Sequence, residues 1–337
     1  MNNDIETIAP LILEAIKSSK KILLHCHPSA DADSAGSVLA MTMALKKLGK
    51  VVVPIMGDSK LSRNLLQLPK HELLVEKNYI QINPDEFDLF IIQDSSAPDF
   101  VSQLGEVVFP KTMKTVVIDH HVSNQGFGDI NLVMNKYSST CQVLYKLFTL
   151  WNVEIDPDMA LCLFLGIYAD TGGFKYQNTS SETLLTASKL VEINPNFQES
   201  IFQMQNNRDP QEIEFMGMAL SSVKTYFSGN VAIAGVTMDE IIKHGLLKEN
   251  THGGIADTLI SVTEWNIGVN IVEIEPNVVI AGFRTRDENV YDVSKIAKAL
   301  GGGGHKAASG AKIRLPLEKA REKILETIKD FYPNLGN

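Results

Sequence analysis

What most constrains this chain is a set of short apolar runs that each end in aspartate or histidine. "KILLHCHPSADAD" starts at residue 21, "FDLFIIQD" ends at Asp94 and "KTVVIDHH" ends at His121. Runs this short, rich in Ile, Val and Leu and without alternation, are the pattern of strands buried on both faces of a parallel sheet. Helical spacing covers roughly residues 5–20, 34–48, 139–151, 157–168 and 181–192, with a further strand at 51–56. Strands alternating with helices predict an α/β fold: an N-terminal parallel-sheet domain with helices on both faces, spanning 1–192.

The texture changes after that. The polar stretch at 193–210, with Pro195 and Pro210, reads as a linker, and 211–337 as a smaller α+β domain. There, "VKTYFSGNVAIAGV" predicts a hairpin turning at Gly229 and Asn230. "WNIGVNIVEIEPNVVIAGFRT" predicts two strands turning at Pro276 and Asn277, followed by a helix, a four-glycine loop, a short strand and a final helix from 316. A length of 337 residues suits two domains.

Composition excludes several classes. There is no apolar run of about 18 residues to cross a membrane. The N-terminus begins acidic and ends basic, the reverse of a signal peptide, so a cytoplasmic protein is expected. Cys26, Cys141 and Cys162 are scattered and form no CxxC, which argues against a disulfide framework or a zinc ribbon. The net charge of −9 disfavours a protein that tracks long nucleic acid, whose affinity comes from Lys and Arg on phosphates. A short anionic ligand stays open if metals or a local basic pocket neutralise it.

Ligands of open parallel sheets bind beyond the carboxyl ends of the strands. The first run delivers His27, Asp31 and Asp33 there, the second Asp94, the third Asp119, His120 and His121, and "LCLFLGIYADTGGF" delivers Asp170 ahead of a glycine turn. Any one of these is weak: Asp33 alone reads as a helix N-cap, and His25 as structural. Four segments aiming at one edge are another matter, because clustered aspartates repel unless cations hold them. A two-metal site is expected, and the mixture of Asp and His suits Mn²⁺. Paired ions of that kind serve phosphoryl displacement.

The motifs also resemble a known family. "HPSADADSAGS", "IIQDSS", "VVIDHHVS" and "GIYADTGGF" are similar, in order, to the motifs of the DHH phosphoesterases, and "GFRTRDENVYDVSKIAKALGGGGHKAASG" resembles their DHH-associated substrate domain. Length and two-domain plan resemble the nano-RNase/pAp phosphatase group and the related pApA or cyclic-di-AMP phosphodiesterases. The resemblance implies that His27 and Asp31 hold one Mn²⁺, that Asp33, His120 and Asp170 hold the other, and that Asp94 bridges them, with Mg²⁺ or Co²⁺ as substitutes. It implies Asp119 and His121 as the catalytic pair, Asp119 orienting an imidazole and His121 facing the scissile phosphate. Arg284, Gly301, Gly302, Gly303, Gly304 and His305 would grip substrate phosphates, with Arg286 either a helper or a solvated strand-end charge. "KYSSTCQ" also resembles a family segment after the DHH motif, in which Ser138, Ser139 or Thr140 would equally serve as the cap of the next helix. One departure stands out: Gly173 occupies a position where many such proteins carry arginine, which bears on substrate preference. Nearby, Tyr168 and Tyr176 are candidates to stack bases, while Phe174 reads as core.

The implied activity is hydrolysis of short oligoribonucleotides such as pApA to 5′-mononucleotides, with pAp to AMP as a second reaction. The implied partner is short RNA or a nucleotide, with no membrane and no long duplex nucleic acid; a homodimer is compatible. Alternatives are a cyclic-dinucleotide phosphodiesterase, a RecJ-like single-strand exonuclease, an inorganic pyrophosphatase and a non-catalytic nucleotide-binding regulator.

Overall fold

A computed structural model describes residues 4–247, 250–251 and 254–336. Its contacts divide the chain into Met1–Asn207 and Arg208–Asn337. In the first unit, β1 (Lys21–His25), β2 (Val51–Ile55), β3 (Leu89–Gln93), β4 (Lys114–Asp119) and β5 (Ile130–Val133) form one sheet in the order β2-β1-β3-β4-β5. Every pairing is parallel. β2 lies on one side of β1 and β3 on the other, so the chain reverses its direction of travel across the sheet between β1 and β3. That reversal leaves a crevice at their carboxyl ends, where this topology binds ligands.

Helical cover is unequal on the two faces. One face carries α1 (Ile5–Ser18), α2 (Ala32–Lys47), α3 (Thr140–Leu150) and α4 (Pro157–Asp170), with Ile12, Ile16, Leu39, Phe148 and Leu163 fully buried among them. The other is closed by single 3-10 turns such as Tyr79–Gln81 and Pro84–Glu86, whose Tyr79 and the following Phe87 pack on Phe90 and Ile92. α2 is buried along most of its length, so its inward and outward faces are both small or apolar. A Cβ on Gly36 would lie 2.6 Å from the Cys162 carbonyl oxygen, so this glycine permits the close approach of α2 to α4. That approach draws Asp33, in the first turn of α2, into the interior.

α5 (Ser181–Ile193) follows, and the segment expected to link the domains contains a helix, α6 (Phe197–Gln205). The second unit begins with α7 (Pro210–Ser221) and holds a six-stranded mixed sheet. Its strands are β6 (Lys224–Tyr226), β7 (Val231–Val236), β8 (Ile267–Glu275), β9 (Val278–Thr285), β10 (Gly303–Gly304) and β11 (Ala308–Ile313), in the order β10-β11-β9-β8-β7-β6. α8 (Met238–Lys243) and α9 (Ile255–Leu259) belong to one face with α7, and α10 (Val293–Ala299) and α11 (Leu317–Phe331) to the other. The β6–β7 hairpin and the β8–β9 pair form as the sequence predicts; Gly229 and Asn277 take left-handed φ of 93° and 61° in their turns. No helix among the described residues is long and apolar enough to cross a membrane.

Candidate metal centre

Each strand end reaches the crevice by a different local device. Asp31 caps α2, its Oδ1 accepting from the amides of Asp33 and Ser34 at 3.0 and 2.9 Å. Ser34 Oγ in turn accepts from the His27 amide at 3.0 Å, tying the strand exit to the helix start. Asp94 leaves β3 with a left-handed φ of 51°, a conformation Asp tolerates better than most residues. Asp119 ends β4 and is fully buried. Asp170 is the last residue of α4 and is partly open to solvent.

Asp33 shows how deep the centre is set. Its two carboxylate oxygens accept from the amides of Thr140 and Cys141 at 2.7 and 2.8 Å, the first turn of α3. A helix start offers unpaired N–H groups and a positive dipole end, so it suits a buried carboxylate. Gly166 of α4 makes room: a Cβ there would lie 2.4 Å from Cys141 Sγ and 3.0 Å from Asp33 Oδ1.

The carboxylates and imidazoles then converge. His27 Nε2 lies 3.8 Å from Asp31 Oδ2 and 3.5 Å from Asp94 Oδ2. His120 Nε2 lies 3.2 Å from Asp170 Oδ2, 3.6 Å from Asp94 Oδ1 and 3.9 Å from Asp33 Oδ2. The ligand atoms fall into sets whose members are all within 4.8 Å of one another: His27, Asp31 and Asp94; Asp33, His120 and Asp170; and Asp94, Asp119, His120 and His121. Asp94 therefore turns one oxygen to each of the first two sets.

Electrostatics mark the centre as short of positive charge. Burial, reinforced by Asp170, pushes the Asp33 carboxyl up to about 6. Burial and four neighbouring carboxylates push Asp94 well above the usual range. Burial alone would lower His120, yet Asp170 and Asp33 raise it to about 9. His120 Nε2 is nevertheless buried without a well-directed hydrogen bond. An acceptor-rich cluster around an unsatisfied imidazole nitrogen fits a divalent cation.

His121 is held differently. Its Nδ1 lies 2.8 Å from Asp119 Oδ1, and Asn124 Nδ2 donates to Asp119 Oδ2 at 2.7 Å. Burial works against ionisation of Asp119, but the His121 and Asn124 hydrogen bonds outweigh it and bring its pKa below the usual range. An ionised acceptor requires Nδ1 to carry the proton, which sets the His121 tautomer.

Asn124, the Cys141 amide and Gly166 escaped sequence reading, and the sequence marks Thr140 only as a candidate helix cap. Thr140 Oγ1 donates to Asp94 Oδ1 at 3.2 Å, while Ser139 is the actual cap of α3. A cap signal in "KYSST" reveals the helix start but not the aspartate that docks on it. His25 is structural as expected: it is fully buried, edge-on to Phe90, and burial lowers it to about 3. Phe174 packs against Tyr168 and Phe164, whereas Tyr176 is exposed. Gly173 has a φ of 68°, where any side chain is strained, and a Cβ would sit 3.1 Å from Tyr168 Oη.

In the second unit, β9 and β11 pair Arg284 with Ala308, and the His305 amide donates to the Ala308 carbonyl at 2.8 Å. The register thus gathers Arg284, His305 and the glycines at one end of the sheet. Gly303 and Gly304 form β10, and a Cβ on Gly302 or Gly304 would collide with the β11 backbone. Arg284 Nε donates to Asp257 Oδ1 at 2.9 Å. Arg286 is a structural residue, donating to the Ile260 and Val262 carbonyls.

Comparison with known proteins agrees with this layout. Residues 21–167 match the DHH family, N-terminal domain, and residues 228–334 match the DHHA1 domain. The chain is 28% identical to the "Bifunctional oligoribonuclease and PAP phosphatase NrnA" of Thermus thermophilus, over 96% of this chain and 94% of that protein. It is similar in fold to an exopolyphosphatase-related protein of Bacteroides fragilis, with a TM-score of 0.88 at 22% identity, covering 98% of each chain. It also shares the fold of RecJ from Thermus thermophilus in complex with Mn²⁺, with a TM-score of 0.54 at 14% identity, covering 98% of this chain and 54% of that one.

Proposed function

This chain belongs to the DHH family of phosphoesterases and carries a DHHA1 domain, and from that premise we propose that it is a Mn²⁺-dependent phosphodiesterase. Its substrates are very short oligoribonucleotides such as pApA, released as 5′-mononucleotides, together with pAp, converted to AMP. The observation that carries the reading is Asp94, whose two oxygens face two separate sets of metal-capable residues.

In this reading His27 and Asp31 hold one ion, Asp33, His120 and Asp170 the other, and Asp94 both. Such a pair supplies Lewis-acid stabilisation of phosphoryl oxygens and a nucleophile available at neutral pH. The chain's own residues do the rest. Thr140 and Cys141 hold Asp33 rigid through their amides, so the carboxylate keeps its direction without an ordering cost during turnover. Asp119 fixes His121 as the Nδ1–H tautomer, aligning its ring for the departing or equatorial phosphate oxygen. Arg284, with its planar donor fork, and the Gly301, Gly302, Gly303 and Gly304 amides beside His305 bind phosphates away from the reacting one. Similarity to an oligoribonuclease and PAP phosphatase supports the substrate class.

The test measures kcat/KM with Mn²⁺ for pAp, pApA, cyclic dinucleotides, pyrophosphate and RNAs of about two to about twenty-four nucleotides at fixed salt. A steep fall beyond about four nucleotides is expected, because a chain of net charge −9 lacks basic partners for further phosphates. A flat or rising profile favours a RecJ-like exonuclease, and turnover of pyrophosphate alone removes the phosphodiester reading.

A further inference from the structure

A cavity of about 450 Å³ opens beside the acidic centre, within the first unit. It shares walls with that centre: Asp31 belongs to both, and Ala169 immediately precedes Asp170. We propose that this cavity is a nucleoside subsite, which seats the base and ribose of one nucleotide of the substrate against Tyr168 and Met204. The proposal rests on the phosphodiesterase reading and names where that substrate's non-reacting part binds.

The lining has the chemistry of such a subsite. Leu65, Met204 and Tyr168 give an apolar and aromatic surface, and Asn64 and Gln205 bring amide groups that can pair with base edges. Lys175 is the one cation among the lining residues and is exposed, placed for a phosphate adjoining the bound nucleoside. Tyr168 is fixed in advance: Gln205 Nε2 donates to its hydroxyl at 2.8 Å, and Phe174 meets its ring edge-on at 5.7 Å. An aromatic already held in place loses little freedom on binding.

The glycine turn keeps the cavity open. Gly172 and Gly173 both have left-handed φ, 57° and 68°. A Cβ on Gly172 would meet the Tyr176 ring at 2.4 Å, and one on Gly173 would crowd the Tyr168 hydroxyl at 3.1 Å. The turn after Asp170 can therefore bring backbone alongside the phenol without a side chain intruding. Size also suits: the volume lies within the range of small-ligand clefts, and the sharing of Asp31 sets the cavity directly beside the acidic centre.

The experiment uses the Mn²⁺-loaded protein and two variants, Asn64→Trp, which fills the cavity from an exposed position, and Gln205→Ala, which releases the Tyr168 anchor while leaving the space. Each is assayed on pApA and on bis-p-nitrophenyl phosphate, which has no nucleoside, and AMP binding is titrated by calorimetry. Asn64→Trp is expected to lower kcat/KM for pApA by about tenfold or more, mostly through KM, and to weaken AMP binding equally, while the nitrophenyl ester is turned over within about twofold of wild type. Gln205→Ala is expected to move pApA in the same direction by a smaller factor. Unchanged pApA kinetics and AMP binding in Asn64→Trp overturn the subsite, as does an equal loss on both esters. If wild type hydrolyses neither ester, the phosphodiesterase reading fails, and AMP binding blocked by Asn64→Trp still decides the cavity.

Discussion

The two ends of this chain's chemistry are built on opposite terms. In the first unit the ionisable groups are buried, crowded and individually braced: Asp33 by a helix start, Asp119 by His121 and Asn124, Asp94 by Thr140. In the second, Arg284 sits half-open, donating to the exposed Asp257 carboxylate and the Phe283 carbonyl, beside glycines whose role is to keep the backbone tight. The difference teaches where rigidity is needed. Carboxylates forced together must be held against repulsion before any cation arrives, whereas an arginine that is to grip a phosphate has only to exchange the Asp257 carboxylate for it. Damage to the first region should therefore remove the reaction, and damage to the second should remove only the preference among substrates.

The largest effect that would sharpen this contrast is Asp94→Ala. It is expected to lower kcat by more than about a thousandfold on every substrate, because one carboxylate serves both sets of ligands, while the thermal melt stays cooperative. Activity within about tenfold of wild type on any substrate would erase the distinction between the regions.

Next in size is the pH response of the chelated protein. The Asp33 carboxyl, raised to about 6 from an ordinary 3.8, contributes stability that is complete below the ordinary value and lost as pH rises through about 6. His120, raised to about 9 from 6.5, contributes stability complete below 6.5 and lost as pH rises through about 9. Both signs agree, so the melting temperature of the chelated protein should fall from pH of about 4 to about 9, Asp33 accounting for the fall below about 6 and His120 for that between about 6.5 and about 9, and Mn²⁺ should restore more at the upper end. Scanning calorimetry with and without chelator checks this; a melting temperature that rises across the window would show that the first region is not limited by crowded acids.

The smallest effects belong to the second unit. Arg284→Ala and His305→Ala are expected to lower kcat/KM for pApA by about tenfold while leaving bis-p-nitrophenyl phosphate nearly unchanged, since remote binding energy is used to orient the reacting phosphate. Asp257→Ala should alter stability by less than about 1 kcal/mol, as expected for an exposed ion pair. Equal losses on both substrates would make Arg284 part of the chemistry and dissolve the contrast.

By itself the sequence determined a good deal of this protein. Apolar runs of five or six residues bounded by turn signals and alternating with helical segments fit buried parallel strands, and a strand's end carries its next residues to the sheet edge. His27, Asp94 and His120 were legible for that reason, Asp170 for the glycine turn that follows it at the end of a helix, and the hairpin at Gly229 for its turn chemistry. Tertiary structure alone decided the rest. That Asp33 docks on the α3 start depends on Gly36 and Gly166 letting α2, α3 and α4 approach, a packing fact with no local signature. That Asn124 orients Asp119 depends on a loop folding back five residues, and that Arg284 meets Asp257 depends on β9 lying near α9, 27 residues away in sequence. The cavity beside Asp31 is assembled from residues of α4, α6 and the segment after β2, brought together only by the folded core. Periodicity reports which way a side chain faces relative to its own element; which other element it meets is set by the packing of many side chains at once, and no single stretch of chain encodes that.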